Sequence, residues 1–208
     1  MSLPWIERKQ KFIDRLMREA SKGIVDYDVL EVLLIINSLE EYYTTSSCSG
    51  RIIVIETPEP GDKVGAIIHG KWHRRVTVDE VMAAISKSGL FDVWLVSQGP
   101  IIHIVAKDIE AAHTILQLAV MAGFKHSGII SLKPDRVIVE IKGNERLDFL
   151  LKRRGNSLYK EEALPILVDM ANTILYLGKR KLFRFKGLVK EYFKERYTKV
   201  KGNTYIHW

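Results

Sequence analysis

Leu164, Val168, Ala171, Leu175, Gly178, Leu182, Phe185 and Val189 step alternately by four and three residues. That rhythm keeps one apolar stripe on one side of an α-helix. It predicts one long amphipathic helix, or two in line, over the last third of the chain. Pro165 falls in its first turn, where a missing N–H costs little. From 179 to 201 ten Lys or Arg stand against two Glu. Such a basic face lies along phosphates or serves as a solvated outer face.

Shorter signals fill the first two thirds. Residues 5–20 read as a basic helix with Ile6, Ile13, Leu16 and Met17 on one face, ended near Lys22-Gly23. A second helix is expected from Asp26 or Asp28 to Glu41, with Val29, Val32, Leu33 and Ile36 inward. Asn37 and Ser38 would then stand late on it, on a more polar side. Residues 52–55, 65–69, 93–96 and 101–105 read as strands, the last two separated by Gly99-Pro100.

Thr77 with Glu80 three residues on is a capping box, with Val76 and Val81 as its staple. Asp108 caps a further helix whose inner face is Ile109, Ala112, Leu116, Ala119 and Val120, stopped by Gly123. Residues 129–132 and 137–141 read as a hairpin around Lys133-Pro134-Asp135.

Helices and hairpins intermixed point to an α+β fold: one mixed sheet covered by helices with a long basic C-terminal helix, not a doubly wound parallel sheet. The expected organisation is a single domain over 1–208. It has a helical part at 1–43, an α/β core at 44–150 and the C-terminal helix at 160–200. A faint echo of strand pairs and a helix falls twice between 51 and 141, too weak to be a repeat.

A net charge of +7 favours a polyanionic partner, nucleic acid first. The lone Cys48 excludes an internal disulfide and fits a reducing compartment. No apolar run reaches bilayer length, and the first residues do not read as a signal peptide. The expectation is a cytoplasmic protein without a membrane association.

The least typical stretch is 44–51, with five hydroxyl residues, one thiol, one glycine and Arg51. Ser and Thr compete for local backbone hydrogen bonds and so favour loops and caps. The segment reads as a polar connector or as the lining of a polar ligand pocket. There Gly50 admits a close backbone approach and Arg51 grips a carboxylate or phosphate.

Cys48 as a nucleophile lacks a diagnostic histidine neighbourhood, and a small buried residue is its blander role. His69 and His73 have metal-ligand spacing only on a helix, which Gly70 opposes, so no metal is expected. His103 lies in an apolar run beside Ile101 and Val105 and needs a partner, as a core histidine or as a site residue facing a cleft. Neither a phosphate-binding P-loop nor a dinucleotide fingerprint is present.

The run Thr44-Thr-Ser-Ser-Cys-Ser-Gly-Arg51 resembles the signature of the tRNA wybutosine-synthesizing protein 3 family. Lys22-Gly-Ile-Val-Asp26, Pro100-Ile-Ile-His103 and Ala122-Gly-Phe-Lys-His-Ser-Gly-Ile129 resemble it in the same order. So does the stretch 169–179, with Asn172. Together they cover about residues 10 to 190.

The resemblance implies an S-adenosylmethionine-dependent methyltransferase acting on N4 of a wyosine-type tricyclic base at position 37 of phenylalanine tRNA. Its base carries an aminocarboxypropyl chain. It further implies that Ser46, Ser47, Cys48, Ser49, Gly50 and Arg51 hold cofactor or substrate, with Ser127 and Gly128 approaching from a neighbouring loop. His103 is then the candidate proton acceptor. Lys152, Arg153, Arg154, Lys179, Arg180 and Arg184 would grip the anticodon stem-loop, and Trp72 or a tyrosine would stack on the base. The competing reading is a non-catalytic tRNA-binding module. A thiol hydrolase is the third.

Overall fold

The computed structural model describes residues 3–194, apart from Pro60 and Lys63. In chain order the elements are α1 (Leu3–Ser21), α2 (Tyr27–Ser38), β1 (Tyr42–Cys48), β2 (Arg51–Thr57), β3 (Ile67–Trp72) and α3 (Val78–Ile85). Then come β4 (Asp92–Gln98), β5 (Ile101–Ala106), α4 (Ile109–Ala122), β6 (Gly128–Lys133) and β7 (Arg136–Lys142). The chain continues with β8 (Arg146–Arg153), β9 (Asn156–Ser157), a 3-10 turn and α5 (Leu164–Tyr192).

The α+β class and the long last helix hold, and there is no doubly wound parallel arrangement. The single mixed sheet does not. Among the described residues the strands form two sheets, ordered β1-β5-β7-β6 and β3-β2-β4-β8-β9, with antiparallel pairing throughout.

They belong to two compact units. The first comprises Met1–Ser49, Pro100–Gly143 and Arg180–Trp208; the second comprises Gly50–Gly99 and Asn144–Lys179. Gly99-Pro100 is therefore a change of unit rather than a hairpin turn. The division does not follow the expected boundaries at 43, 150 and 160, because each unit is closed by chain returning from far downstream.

In the first unit, Tyr42, Ile102, Ile104, Ala106, Val137, Val139 and Ile141 present one sheet face to α2, α4 and the later turns of α5. Phe185 lies against Phe124, ring centroids 6.1 Å apart, and both are fully buried. Removing a ring so placed costs about 3–5 kcal/mol. Of the expected inner face of α4, Ala112 and Ala119 are fully buried, and Leu116 is partly so. Ala111, Ile115, Leu118 and Ala122 are buried, while Ile109 and Val120 are about half exposed.

The opposite sheet face is covered at one end by α1, where Trp5 and Phe12 pack on Tyr43, Val105 and Ile138. Thus Trp5 and Leu16, not Ile6 and Met17, are buried on α1. The aromatic contacts with Tyr43 outweigh a simple aliphatic stripe.

Asn37 is buried rather than polar-facing. Its Nδ2 donates to Leu33 O and Thr44 Oγ1 at 2.8 and 2.7 Å, and its Oδ1 accepts from Thr44 N at 3.0 Å. A buried amide with these three bonds fixes where β1 leaves α2.

In the second unit, Ile52, Val54, Val93 and Leu95 from β2 and β4 pack with α3 and the first turns of α5 through Val81, Ile85, Val168, Ala171 and Leu175. The Thr77–Glu80 capping box is formed, with Val76 and Val81 buried beside it. All seven non-glycine stripe residues of α5 are buried. No helix among the described residues is long and apolar enough to cross a membrane.

Candidate functional site

The serine-rich run is a strand, not a loop. Its backbone finds partners along β5, and the chain then turns at Ser49-Gly50. The pairing carries a bulge: Thr44 stands opposite Ile104, but Ser46, not Thr45, stands opposite His103. The extra residue re-aims the strand, so Thr44 faces the core through Asn37 while Ser46 comes to the other face.

On that other face the rows succeed one another. Tyr43, Val105 and Ile138 lie under α1. Ser46, His103 and Glu140 come next, then Cys48, Ile101 and Lys142. The middle row is hydrogen-bonded across three strands. Ser46 Oγ lies 2.8 Å from His103 Nδ1, and His103 Nε2 lies 3.0 Å from Glu140 Oε2.

Ser46 is exposed, and His103 and Glu140 are half-buried. A carboxylate accepts only, so in the neutral ring Nε2 carries the proton and Nδ1 is left as the acceptor for the serine hydroxyl. Gly128 pairs with Glu140 at the far end of the row, and a side-chain atom on it would meet nothing within 4 Å. The carboxylate therefore has open space beside it.

Asp26 joins this neighbourhood from the N-cap of α2. Its side chain makes no capping bond; Oδ2 accepts instead from Ser49 N at 2.9 Å. Ser49 is fully buried, and its Oγ has no hydrogen-bond partner among the described residues. Cys48 is half-buried and forms no disulfide. Ser127 Oγ accepts from Lys142 N at 3.2 Å, so it secures the start of the β6 hairpin.

Under α1, burial lifts the Tyr43 phenol above its usual range against the opposing pull of Arg8. Lys9 is pushed down to about 8 by burial, partly countered by Glu41 and Glu40.

Gly50 and Arg51 begin the second unit. Gly50 has φ 94, and a Cβ there would sit 2.9 Å from Gln98 O, so no other residue fits without displacement. Its carbonyl accepts from His73 Nδ1 at 3.0 Å, and Arg51 Nε donates to Gln98 Oε1 at 3.2 Å. That leaves the two terminal nitrogens of the Arg51 fork for a further acceptor. Trp72 packs over Gly70 and against the second unit's core.

The basic residues expected to grip RNA divide by environment. Lys152 is half-buried and donates to Ile85 O and Ser88 Oγ at 3.3 and 3.0 Å. Arg153 and Arg154 form the exposed end of the β8–β9 hairpin, whose tip has φ 46 at Arg154 and φ 80 at Gly155. Lys179 Nζ donates to His73 O. Arg180 and Arg184 stand exposed on α5, and part of the expected basic stretch, 195–201, lies outside the described residues.

Sequence reasoning found Ser46 and His103 separately but missed Glu140 and the role of Asp26. Glu140 is the one carboxylate in β7, and only the register of three strands puts it beside His103. Asp26 was visible as a helix start, which concealed its bond to Ser49.

The fold is α+β without a glycine-rich phosphate loop, and its hydroxyl–imidazole–carboxylate row is an arrangement chemically able to accept and pass a proton. The model of the family described as Methyltransferase TYW3 matches residues 7–191, and the chain belongs to that family. It is accordingly a methyltransferase, which sets aside the non-catalytic module, and it requires a methyl donor.

A Pyrococcus furiosus relative, named tRNA(Phe) 7-((3-amino-3-carboxypropyl)-4-demethylwyosine(37)-N(4))-methyltransferase 1, is 47% identical over 80% of this chain and 85% of its own length. A Saccharolobus solfataricus relative with the same reaction in its name is 36% identical over 90% of each chain. A solved structure from Pyrococcus horikoshii superposes with a TM-score of 0.84 at 43% identity, covering 88% of this chain and 94% of that one.

Proposed function

We propose that this chain methylates N4 of 7-(3-amino-3-carboxypropyl)-4-demethylwyosine at position 37 of phenylalanine tRNA, with S-adenosylmethionine as donor. The observation that carries the reading is the family match over nearly the whole described chain, together with relatives whose names state that reaction. The anticodon stem-loop is the part of the tRNA that must reach the site, because it holds position 37.

The side chains present fit such a donor. Its amino-acid end asks for hydroxyl and guanidinium partners, and the buried Ser49 Oγ is an unpaired polar atom of that kind. Ser46, Ser47 and Ser49 would hold polar atoms of cofactor or substrate in the first unit. Arg51, held through Nε by Gln98, offers its remaining fork to a carboxylate or phosphate. Ser127 and Gly128 border the same sheet face as Glu140. When bound, the donor supplies an electrophilic methyl carbon on a sulfonium sulfur.

The protein's share is alignment and proton removal. His103 is the site's final acceptor for the proton lost by the nitrogen being methylated, so the site accepts one proton per turnover and releases it to solvent. Arg180 and Arg184 lie on the basic side of α5 and contact phosphates.

Calorimetric titration of S-adenosylmethionine into the protein tests the donor. Micromolar binding that is lost in Arg51→Ala supports the assignment of donor and residue. Absence of binding, with phenylalanine tRNA present as well, removes it.

A further inference from the structure

Resting on that reading, the geometry points to Glu140 as the positioning residue that makes His103 Nδ1 the basic atom and Ser46 Oγ the group through which the substrate proton passes. The argument begins with direction. Along the row, Glu140 can only accept, so His103 Nε2 must donate to it across 3.0 Å. Nδ1 then has a lone pair and no proton, and the group 2.8 Å from it is the Ser46 hydroxyl. Without Glu140 the ring is free to hold its proton on either nitrogen, and half of its forms then turn an N–H toward Ser46.

The positions of the three groups follow from backbone register rather than from rotamer choice. Ser46 faces His103 only because of the bulge between Thr44 and Ser46, and His103 faces Glu140 as a directly opposed strand pair. Exposure increases from Glu140 and His103 to Ser46, so Ser46 is the member that meets an incoming base.

The step balances. The nitrogen's lone pair forms the N–CH3 bond as the CH3–S bond breaks, and the sulfonium becomes a neutral thioether. The nitrogen's proton goes to Ser46 Oγ while the serine's own proton goes to His103 Nδ1. The resulting imidazolium keeps its Nε2–H on Glu140, which stays ionised. This differs from a serine nucleophile, for no bond to the serine oxygen other than O–H is made.

Three variants and two readouts test it: ring 15N shifts of His103, identified by their loss in His103→Ala, and steady-state methylation of the precursor tRNA. The wild type is expected to show a protonated Nε2 and a bare Nδ1. Glu140→Gln retains an acceptor for Nε2–H but no charge. It is expected to keep the tautomer and lower kcat about tenfold, with the KM for S-adenosylmethionine within twofold.

Glu140→Ala is expected to mix the tautomers and to lower kcat about 100-fold, within the usual span of general-base effects of about 10²–10⁴. Ser46→Ala should resemble it in rate while leaving the tautomer intact. A bare Nε2 in the wild type overturns the proposal, as does an unchanged kcat in Glu140→Gln. If His103→Ala loses activity while both Glu140 variants keep it, the positioning role falls and the methyltransferase reading stands. If His103→Ala itself methylates normally, the assignment of the base falls first, and the relay with it.

Discussion

Asn172 holds the backbone of Val76 in both directions: its Oδ1 accepts from Val76 N and its Nδ2 donates to Val76 O, each at 2.9 Å. One buried side chain on α5 thereby completes the hydrogen bonding of the residue just before the N-cap of α3. Leaving both backbone groups unpaired in a dry environment costs about 1–3 kcal/mol for each. Asn172→Leu is therefore expected to destabilise the protein by about 2–4 kcal/mol. Urea denaturation at pH 7 decides: a midpoint that does not move means that water replaces the amide at no cost. Asn172→Asp, which keeps the acceptor but has no donor, is expected to fall between.

Glu56 is the second buried clasp of that unit. Gly89 N donates to both carboxylate oxygens at 3.0 Å, Phe91 N to one at 3.0 Å, and His69 Nε2 lies 2.7 Å from the other. Burial would raise the carboxyl, but the N–H of Gly89, the His69 ring and the N–H of Phe91 together hold it below its ordinary 4.5. A depressed carboxylate stabilises the fold at pH above 4.5 and loses that contribution as pH falls through its lower folded value. Glu56→Gln is expected to cost about 2 kcal/mol at pH 7, the scale of hydrogen bonds to a charged acceptor. The gap from the wild type should narrow steadily below pH 4.5. A gap that stays constant down to the acid limit refutes the charge as its source.

Glu31 joins α2 to α5 within the first unit, meeting Lys186 and Lys190 at 2.6 and 2.7 Å. Hydrogen bonds from Lys186, then Lys190, pull its carboxyl down to about 2. The sign is the same as for Glu56: the contribution is complete above pH 4.5 and disappears between there and about 2. The magnitude is not the same, because this carboxylate is half exposed and water screens it. Glu31→Gln should cost no more than about 1 kcal/mol at low salt and less in 1 M NaCl. Thermal melts at two salt concentrations check this; a salt-independent loss points to packing instead.

Legibility divides along physical lines. The stripe of α5, the Thr77 capping box and the hairpin around Pro134 were readable because each is local: a period or a pair of residues three apart settles it. β8 was missed because its alternation is only half buried and its end, at Lys152-Arg153-Arg154, reads as a basic cluster before it reads as a strand. β1 reads from sequence as a polar connector or a pocket lining because serine and threonine favour loops when nothing pairs them, and β5 does pair them. Two sheets rather than one follow from strand pairings between segments distant in sequence, which periodicity does not encode. At the site, Ser46 and His103 were legible as residue types, and their contact was not. The bulge that swaps Ser46 for Thr45 opposite His103 is a register effect with no signature in composition.

The same distinction between charge in sequence and charge in place separates the residues proposed to contact RNA. Lys152 directs its ammonium to Ile85 O and Ser88 Oγ, so its removal deletes two charge-assisted hydrogen bonds inside the second unit, while Ile85 O keeps Ser88 N and Ser88 Oγ as donors. Arg184 stands exposed on α5. Lys152→Ala is therefore expected to lower stability by about 1–2 kcal/mol and to leave the salt dependence of tRNA binding unchanged. Arg184→Ala should leave the melt unchanged, weaken binding, and reduce the slope of log affinity against log salt by about one, as for loss of a single phosphate contact. Filter binding of phenylalanine tRNA across a salt series, with melts run beside it, reads both quantities. If Lys152→Ala flattens the slope and Arg184→Ala does not, the RNA path follows β8 rather than the exposed side of α5.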